Sequence, residues 1–263
     1  MLVLYIKGIR WHFINTFKNG KKFFVKSFYR FFESYAFGII TPGRLGEVLK
    51  LGYENNIHNK FKTSIHILAE RGFDVGIFIF FALIALSSGR FLNVDFTVLL
   101  IVCLISFSLL LLSYLLLCSK LTYFYIQKLI YKLTRKSILL DSIPIKHSPQ
   151  RTLIIFVLSV ISNICYFLSC YFLSMSVFLH IPFLIVTGVI AIVGLINMLP
   201  ITIMGLGTRE YALLTLFGDY SQTNIIAFSI ILFSVAQIGA CIFSLINSLI
   251  FLQIDKRNNQ KNG

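Results

Sequence analysis

Apolar positions in this chain fall in long runs separated by short polar or basic stretches, and the run lengths predict the elements. Residues 96–118 are a clean apolar run, long enough for a membrane span, which needs about 20 residues. Residues 152–179 predict one long apolar helix. At 1.5 Å per residue it measures about 42 Å, more than a ~30 Å hydrocarbon core, so it must tilt or protrude. Residues 61–89 predict a helix that starts in the aqueous interface, enters lipid near Phe73 and closes at Gly89 and Arg90. Pro182–Leu199 is a further span, ended by Pro200. Residues 201–217 are apolar but broken by glycine, and 224–252 are a final span before the polar tail 255–263. Near the start, residues 7–30 carry Lys7, Arg10, Lys18, Lys21, Lys22, Lys26 and Arg30 with Trp11 and several Phe, which reads as interfacial chain. Residues 27–41 form an aromatic-rich stretch about half a membrane thick. Pro42 and Gly43 stop it, and a helix is expected to restart over 45–53. The fold class expected is all-α, a polytopic helical membrane bundle with two broken or re-entrant helical motifs. It is read as one membrane domain over 1–263: a basic N-terminal segment with the first broken motif (1–60), a helical hairpin (61–118), a basic loop (119–151) and a C-terminal bundle with the second broken motif (152–263).

Charge gives this bundle an orientation. The net charge is +14. In a lipid-loving chain the positive-inside rule accounts for that better than a nucleic-acid partner. Loop 119–151 has seven Lys/Arg against one acid, Asp141, and the tail holds Lys256, Arg257 and Lys261. The connectors near 90–95, 180–182 and 218–223 hold a single basic residue, Arg90. The N-terminal segment, the 119–151 loop and the C-terminus are therefore expected on the cytoplasmic side of the inner (cytoplasmic) membrane. Loop and tail on one side require an even number of crossings between them. Residues 201–217 must then be a fourth passage or the return limb of a re-entrant element, and periodicity does not choose. Within the loop, Lys128, Lys132, Arg135 and Lys136 share a helical stripe apart from Phe124, Leu129, Ile130 and Leu133. That fits a helix lying on an anionic leaflet, and equally a solvated connector. Met1–Ile6 is too short for a secretory h-region, so the first residues are expected to be retained. The five cysteines all lie in or beside apolar segments, odd in number and without a CxxC pair; no disulfide or zinc framework is expected.

Five of the ten acidic residues, Glu33, Glu47, Glu70, Asp74 and Glu210, lie in or beside apolar stretches. Ionisable groups at membrane depth are costly and point to function. Three clusters carry them. In the first, Pro42 and Gly43 precede Arg44, Gly46 and Glu47. Arg44 and Glu47 are three apart, suited to pair on one helical face. A helix start there would aim free N–H groups at an anion, and the Arg fork suits a phosphate. The same residues would also form an interfacial turn with a surface ion pair. In the second, Glu70 and Asp74 share one face at i,i+4, with Arg71 to one side and able to reach either Glu47 or the partners of Arg44; simple snorkelling at the interface is the alternative, stronger for Arg71 than for Asp74, which has Phe73 and residues 75–81 around it. In the third, Pro200 leads to Gly205, Gly207, Thr208, Arg209 and Glu210, with Thr208 as N-cap. It repeats the order of the first: breaker, glycines, Arg, Glu, new helix. Paired helix breaks in the two halves of a membrane protein are the sequence signature of a transport site. The two motifs are expected to face each other, with Arg44, Glu47, Glu70, Arg71, Asp74, Arg209 and Glu210 binding the substrate.

GxSxG, HExxH, Walker A and CxxC patterns are missing, and the Gly205/Gly207 pair lacks the third glycine of a dinucleotide fingerprint. No catalytic residue, cofactor or metal is expected. The five histidines (His12, His58, His66, His147, His180) read as scattered and unpaired, with His58 and His66 flanking the second cluster.

TPGRLGE at 41–47, Glu70-Arg71-x-x-Asp74, and Leu199-Pro200 through Gly205-x-Gly207-x-Arg209-Glu210 together resemble the lysylphosphatidylglycerol synthase transmembrane-region proteins, also described as flippase-like domain proteins. Gly8-Ile9-Arg10-Trp11 resembles the segment after that family's opening helices. The resemblance covers nearly the whole chain. It implies a polytopic inner-membrane domain that moves or handles lipids, joined in some relatives to a soluble aminoacyl-lipid synthase domain and in others linked to polyprenyl-phosphate sugars or hopanoid lipids. Relatives carry one or two helices ahead of the Arg-Trp stretch, where this chain has the stub Met1–Ile6, and it has only about ten polar residues after the last span. A truncated gene or a start placed too late is expected.

The function expected is a lipid transporter or flippase-like protein. Its substrate would be an anionic phospholipid or lipid-linked phosphate, and its movement passive or ion-coupled. The partners expected are the membrane lipid, with a homo-oligomer or a separate lipid-synthase protein as further possibilities. The alternatives are the membrane part of a lipid-modifying transferase of the phosphatidylglycerol lysyltransferase type and a non-catalytic membrane scaffold.

Overall fold

The computed structural model describes residues 1–15, 21–54, 57–87, 96–119, 147–199 and 202–260. Pro200, Arg90, the basic stripe Lys128–Lys136 and Lys261 lie outside the described residues, as does the side chain of His58.

All regular structure among these residues is helical. Helix α1 is Leu2–Asn15 and α2 is Lys21–Ile40. A 3-10 segment, Pro42–Val48, leads into the short α3, Leu49–Gly52. Helices α4 (Ile57–Ser87) and α5 (Phe96–Cys118) follow, then α6 (Pro149–Ser176) and α7 (Phe183–Met198). A second 3-10 turn, Ile203–Gly205, precedes α8, Thr208–Leu216. Helix α9 (Gln222–Phe233) runs through a π-helical turn, Ser234–Gly239, into α10 (Ala240–Gln260).

Among the described residues, three stretches are long and apolar enough to cross a membrane: Thr97–Cys118, Pro149–Ser176 and Gln222–Arg257. Helix α7 is equally apolar but shorter. The protein is a helical membrane bundle, and its outward side chains are those lipid would cover, such as Phe107 on α5 and Phe172 on α6. Helix α8 has nine residues. At 1.5 Å each that is about 14 Å, half a hydrocarbon core, so this limb is not a full crossing.

The N-terminal reading needs correction. Residues 7–15 are not interfacial chain: they lie in α1, which is packed into the bundle with Trp11, Ile14 and Arg10 all at 1% exposure or less, and residues 21–30 lie in α2. Leu2–Ile6 are the opening residues of α1. Trp11 packs with Phe28, Phe31 and Phe32 of α2 and with Ala240 and Cys241 of α10. A second apolar core joins α4, α6, α7, α8 and α9 around Phe78, Phe167, Val189, Leu213 and Phe228. A third joins Ile14 to α4, α5 and α6.

Helices α4 and α5 approach closely through small residues. A Cβ on Gly72 would meet Ser113 Oγ at 2.0 Å, and one on Gly76 would meet Leu110 at 2.7 Å. Ser106 Oγ donates to the Gly76 carbonyl at 2.9 Å. Glycines four apart let two backbones come together where lipid offers no hydrophobic drive. This contact fixes α4, the helix that carries the second acidic cluster.

Candidate functional site

Helix geometry puts Glu70 and Asp74 one above the other on α4, as their i,i+4 spacing predicts. Arg10 of α1 bridges them. Its Nη1 donates to Asp74 Oδ1 at 2.6 Å, and its Nη2 donates to Asp74 Oδ2 at 3.2 Å and to Glu70 Oε1 at 2.7 Å. Nη1 also donates to Ser159 Oγ of α6 at 3.0 Å. Lys50 of α3 donates to Glu70 Oε2 at 3.0 Å, with its ammonium 4.0 Å from the Trp11 ring centroid. Lys7 lies 3.5 Å from Asp74 Oδ2. Arg71 pairs with Glu47, which also has Lys50 at 3.7 Å. Arg10, Glu47, Lys50, Glu70 and Asp74 are all buried. Buried charge survives only with paired, hydrogen-bonded partners, and here four segments of chain supply them.

The first broken motif is built around Thr41. Its Oγ1 accepts from the Gly46 N–H at 2.6 Å, and its carbonyl accepts from the Arg44 N–H at 3.1 Å. Gly43 and Arg44 are both left-handed, at φ 59° and 57°. That turn folds the segment back on the end of α2. Gly46 lies so close that a Cβ would sit 2.4 Å from the Phe37 carbonyl group. The expected long helix over 45–53 does not form; a 3-10 segment and one α-helical turn take its place. The expected Arg44–Glu47 pair does not form either. Glu47 turns to Arg71 and Lys50, while Arg44 lies with its guanidinium 5.8 Å from the Tyr35 ring centroid. Arg44 makes no ion pair among the described residues.

The second motif bends at Met204, Gly205 and Gly207, with φ of 56°, 72° and 83°. Gly207, not Thr208, is the N-cap of α8, and its N–H donates to Glu210 Oε2 at 2.6 Å. Arg209 is 1% exposed and pairs with Glu210. Its Nε donates to Ser229 Oγ of α9 at 3.0 Å, and its guanidinium lies 5.0 Å from the Phe233 ring centroid.

A cavity of about 260 Å³ opens between the two motifs. Its wall includes Arg44 and Gly43 of the first motif and Met204 and Gly205 of the second. Lys7 and Asp74 border it, as do Asn163, Asn197 and Gln237. Of the seven predicted site residues, the structure brings Glu47, Glu70, Arg71 and Asp74 into one network, with Arg44 opening into the cavity that network borders. Arg209 and Glu210 form a separate pair against α9 and do not line the cavity. The second motif lends the cavity backbone and Gly205 rather than its arginine.

Sequence reasoning missed Lys7, Arg10, Lys50 and Asn163. The first two were counted as interfacial charge, although Lys7 and Arg10 are three apart on one helical face, and the acids at 70 and 74 needed cations from somewhere. The histidines were also misread, since His66 and His147 meet with ring centroids 5.5 Å apart.

A family model described as lysylphosphatidylglycerol synthase TM region matches residues 1–243, and the chain belongs to that family. No curated protein and no solved structure matches it.

Proposed function

We propose that this member of the lysylphosphatidylglycerol synthase transmembrane-region family binds the phosphate of an anionic phospholipid or lipid-linked phosphate in the cavity between its two broken motifs and assists its movement across the inner membrane. One observation carries the reading. Among the described residues, Lys7, Arg10, Lys50 and Arg71 pair with three carboxylates, Glu47, Glu70 and Asp74, while Arg44 lines the adjoining cavity without an ion pair. Those acids are engaged by the other cations, which leaves Arg44 facing the cavity without one. An excess of positive charge at the edge of a low-dielectric bundle is stabilised by an incoming anion.

The roles divide accordingly. Arg44 supplies the planar fork that grips phosphate oxygens, and Lys7, beside Asp74, supplies a second charge. Arg10, Glu47, Lys50, Glu70, Arg71 and Asp74 hold the first motif and α1 against α4. Arg209 and Glu210 brace the second motif. The N-terminal segment, the 119–151 loop and the C-terminus lie on the cytoplasmic side, as the distribution of basic residues suggests. The lipid itself is the partner.

The test is a head-group accessibility assay in reconstituted vesicles. Wild type moves an anionic phospholipid between leaflets, and Arg44→Ala, inserted normally, loses most of that movement. Equal movement by both proteins overturns the phosphate role. An altered lipid composition with unchanged movement points to a transferase, and no effect on either to a scaffold.

A further inference from the structure

A second hollow lies on the outer side of the first broken motif. It measures about 470 Å³, and its wall includes Thr41, Leu45, Val48, Leu49 and Gly52 together with Lys60 of α4. Local geometry explains the apolar lining. In a 3-10 helix residues three apart stand in one row, so Leu45 and Val48 project together. Both face away from the bundle, at 63% and 52% exposure, and Leu49 follows at 42%. Gly52 closes α3, and a Cβ there would have nothing within 4 Å, so that part of the hollow stays open. Lys60 is the one charged residue of the wall. It is exposed and makes no ion pair among the described residues. It stands in the first turn of α4, between Asn59 and Lys62 and about 20 Å along the helix from Asp74. That is the polar end of the helix, where a lipid head group lies.

Lipid covers the outward apolar faces of this bundle, but a plain face has no means of choosing among lipids. Helix α5, for example, carries no charged residue along its whole length. Here a hollow and a free ammonium occur together. The hollow takes a hydrocarbon chain, and the ammonium takes the phosphate at the head of that chain. From this pairing we infer that the outer face of the first motif is a binding site for an anionic phospholipid of the surrounding membrane, with one acyl chain along Leu45, Val48 and Leu49 and the phosphate on Lys60. A zwitterionic lipid fills the hollow equally well, but it offers Lys60 a phosphate already balanced by its own ammonium. The site is separate from the cavity between the two motifs, and Arg44 takes no part in it. The two spaces touch through Thr41, which lines both. Thr41 also accepts from the Gly46 N–H, so a chain in the hollow packs against the turn that presents Arg44. The bound lipid steadies that turn without competing for its arginine.

Fluorescence of the full chain in detergent tests the site. The single tryptophan, Trp11, is buried, so Leu45→Trp adds an indole at the hollow and the unsubstituted chain supplies the background. Phosphatidylglycerol and phosphatidylcholine with brominated acyl chains are added in turn, and quenching is followed against lipid mole fraction. Phosphatidylglycerol should reach half-quenching at a mole fraction about fivefold lower than phosphatidylcholine, the effect of one lysine near a membrane surface. In the same background Lys60→Gln, at an exposed position, should bring the two lipids to within about twofold of each other. Gly52→Leu, whose side chain has open space to fill, should do the same. Arg44→Ala should leave the preference as it is. Half-quenching at equal mole fractions overturns the inference and leaves bulk lipid only. A preference that survives either Lys60→Gln or Gly52→Leu overturns it too, and one that disappears in Arg44→Ala assigns the lipid to the cavity instead.

Discussion

Replacing Arg10 by methionine removes the centre of the buried network while keeping side-chain length. The guanidinium makes four hydrogen bonds, three to carboxylates at 2.6, 2.7 and 3.2 Å and one to Ser159 at 3.0 Å, and it is 1% exposed. Without it Glu70 retains Lys50 at 3.0 Å, and Asp74 retains Lys7 at 3.5 Å and the Asn163 amide at 3.3 Å. Removing one partner of a buried ion pair costs roughly 3–5 kcal/mol, because the remaining charge is left uncompensated. At about 2–4 °C per kcal/mol for a chain of this size, Arg10→Met should melt some 6–20 °C below wild type in detergent. Arg10→Lys keeps the charge but cannot bridge two carboxylates, and should lose about half as much. The double change Arg10→Met, Asp74→Asn removes the carboxylate that loses most of its partners while leaving Glu70 paired with Lys50, and should recover part of the loss. If Arg10→Met melts within 2 °C of wild type, or if the double change is worse than the single one, the network is not what holds α1 to α4.

Gly46→Ala and Gly52→Ala make a contrasting pair. A Cβ at Gly46 meets the Phe37 carbonyl group at 2.4 Å, backbone that has nowhere to move, whereas Gly52 has nothing within 4 Å. The first should cost at least ~1–3 kcal/mol by melting, and the second less than about 0.5 kcal/mol in either direction. His147, in the polar stretch ahead of α6, is fully buried beside Lys62, Arg151 and the His66 ring, and burial first, then the neighbouring cations, pull its imidazole down to about 4. Between pH 6.5 and 4 the unfolded chain therefore binds a proton that the folded chain refuses. The stability in question is present above pH 6.5 and fades as pH falls toward 4, by roughly 2–3 kcal/mol. His147→Phe should flatten that stretch of the melting-temperature profile relative to wild type; parallel profiles would show that the imidazole stays neutral for no cost.

The spans were legible because hydrophobic run length is a one-dimensional property. The run 96–118 coincides with α5, and the apolar stretches at 152–179 and 182–199 with α6 and α7, each to within three residues. The breaks were legible too, since proline and glycine act locally: α2 stops at Ile40, just ahead of Pro42. What the pattern hid was pairing across the fold. Lys7 and Arg10 read as interfacial because nothing near them in sequence would neutralise them, and their acids lie some sixty residues further on in α4. Arg44 and Glu47 read as a pair because the spacing allows it. The left-handed turn at Gly43–Arg44 instead sends the two side chains apart, and a 3-10 segment replaces the helix that spacing assumes. The likeness of the second motif to the first was real in backbone and misleading in side chains, because Arg209 found its acid at the adjacent position.

That difference explains how one chain can keep a charge unpaired at depth. A non-glycine residue in the left-handed region costs about 1–2 kcal/mol, so Arg44 at φ 57° is held there against a local preference. The holding groups can be named. Thr41 binds the Gly46 amide, Gly46 seats against the Phe37 carbonyl, Glu47 is tied to Arg71, and Lys50 to Glu70. The tie to Arg71 engages Glu47, the carboxylate three residues from Arg44. The network that strains the turn is thus also the one that denies Arg44 an acid. Loosening it at Arg71 should relax the strain and free Glu47 to pair with Arg44 together, closing the cavity's cationic pole from within. Rigid packing of the first motif and an available guanidinium are consequently one property of this fold, and a substitution that gives up the first gives up the second.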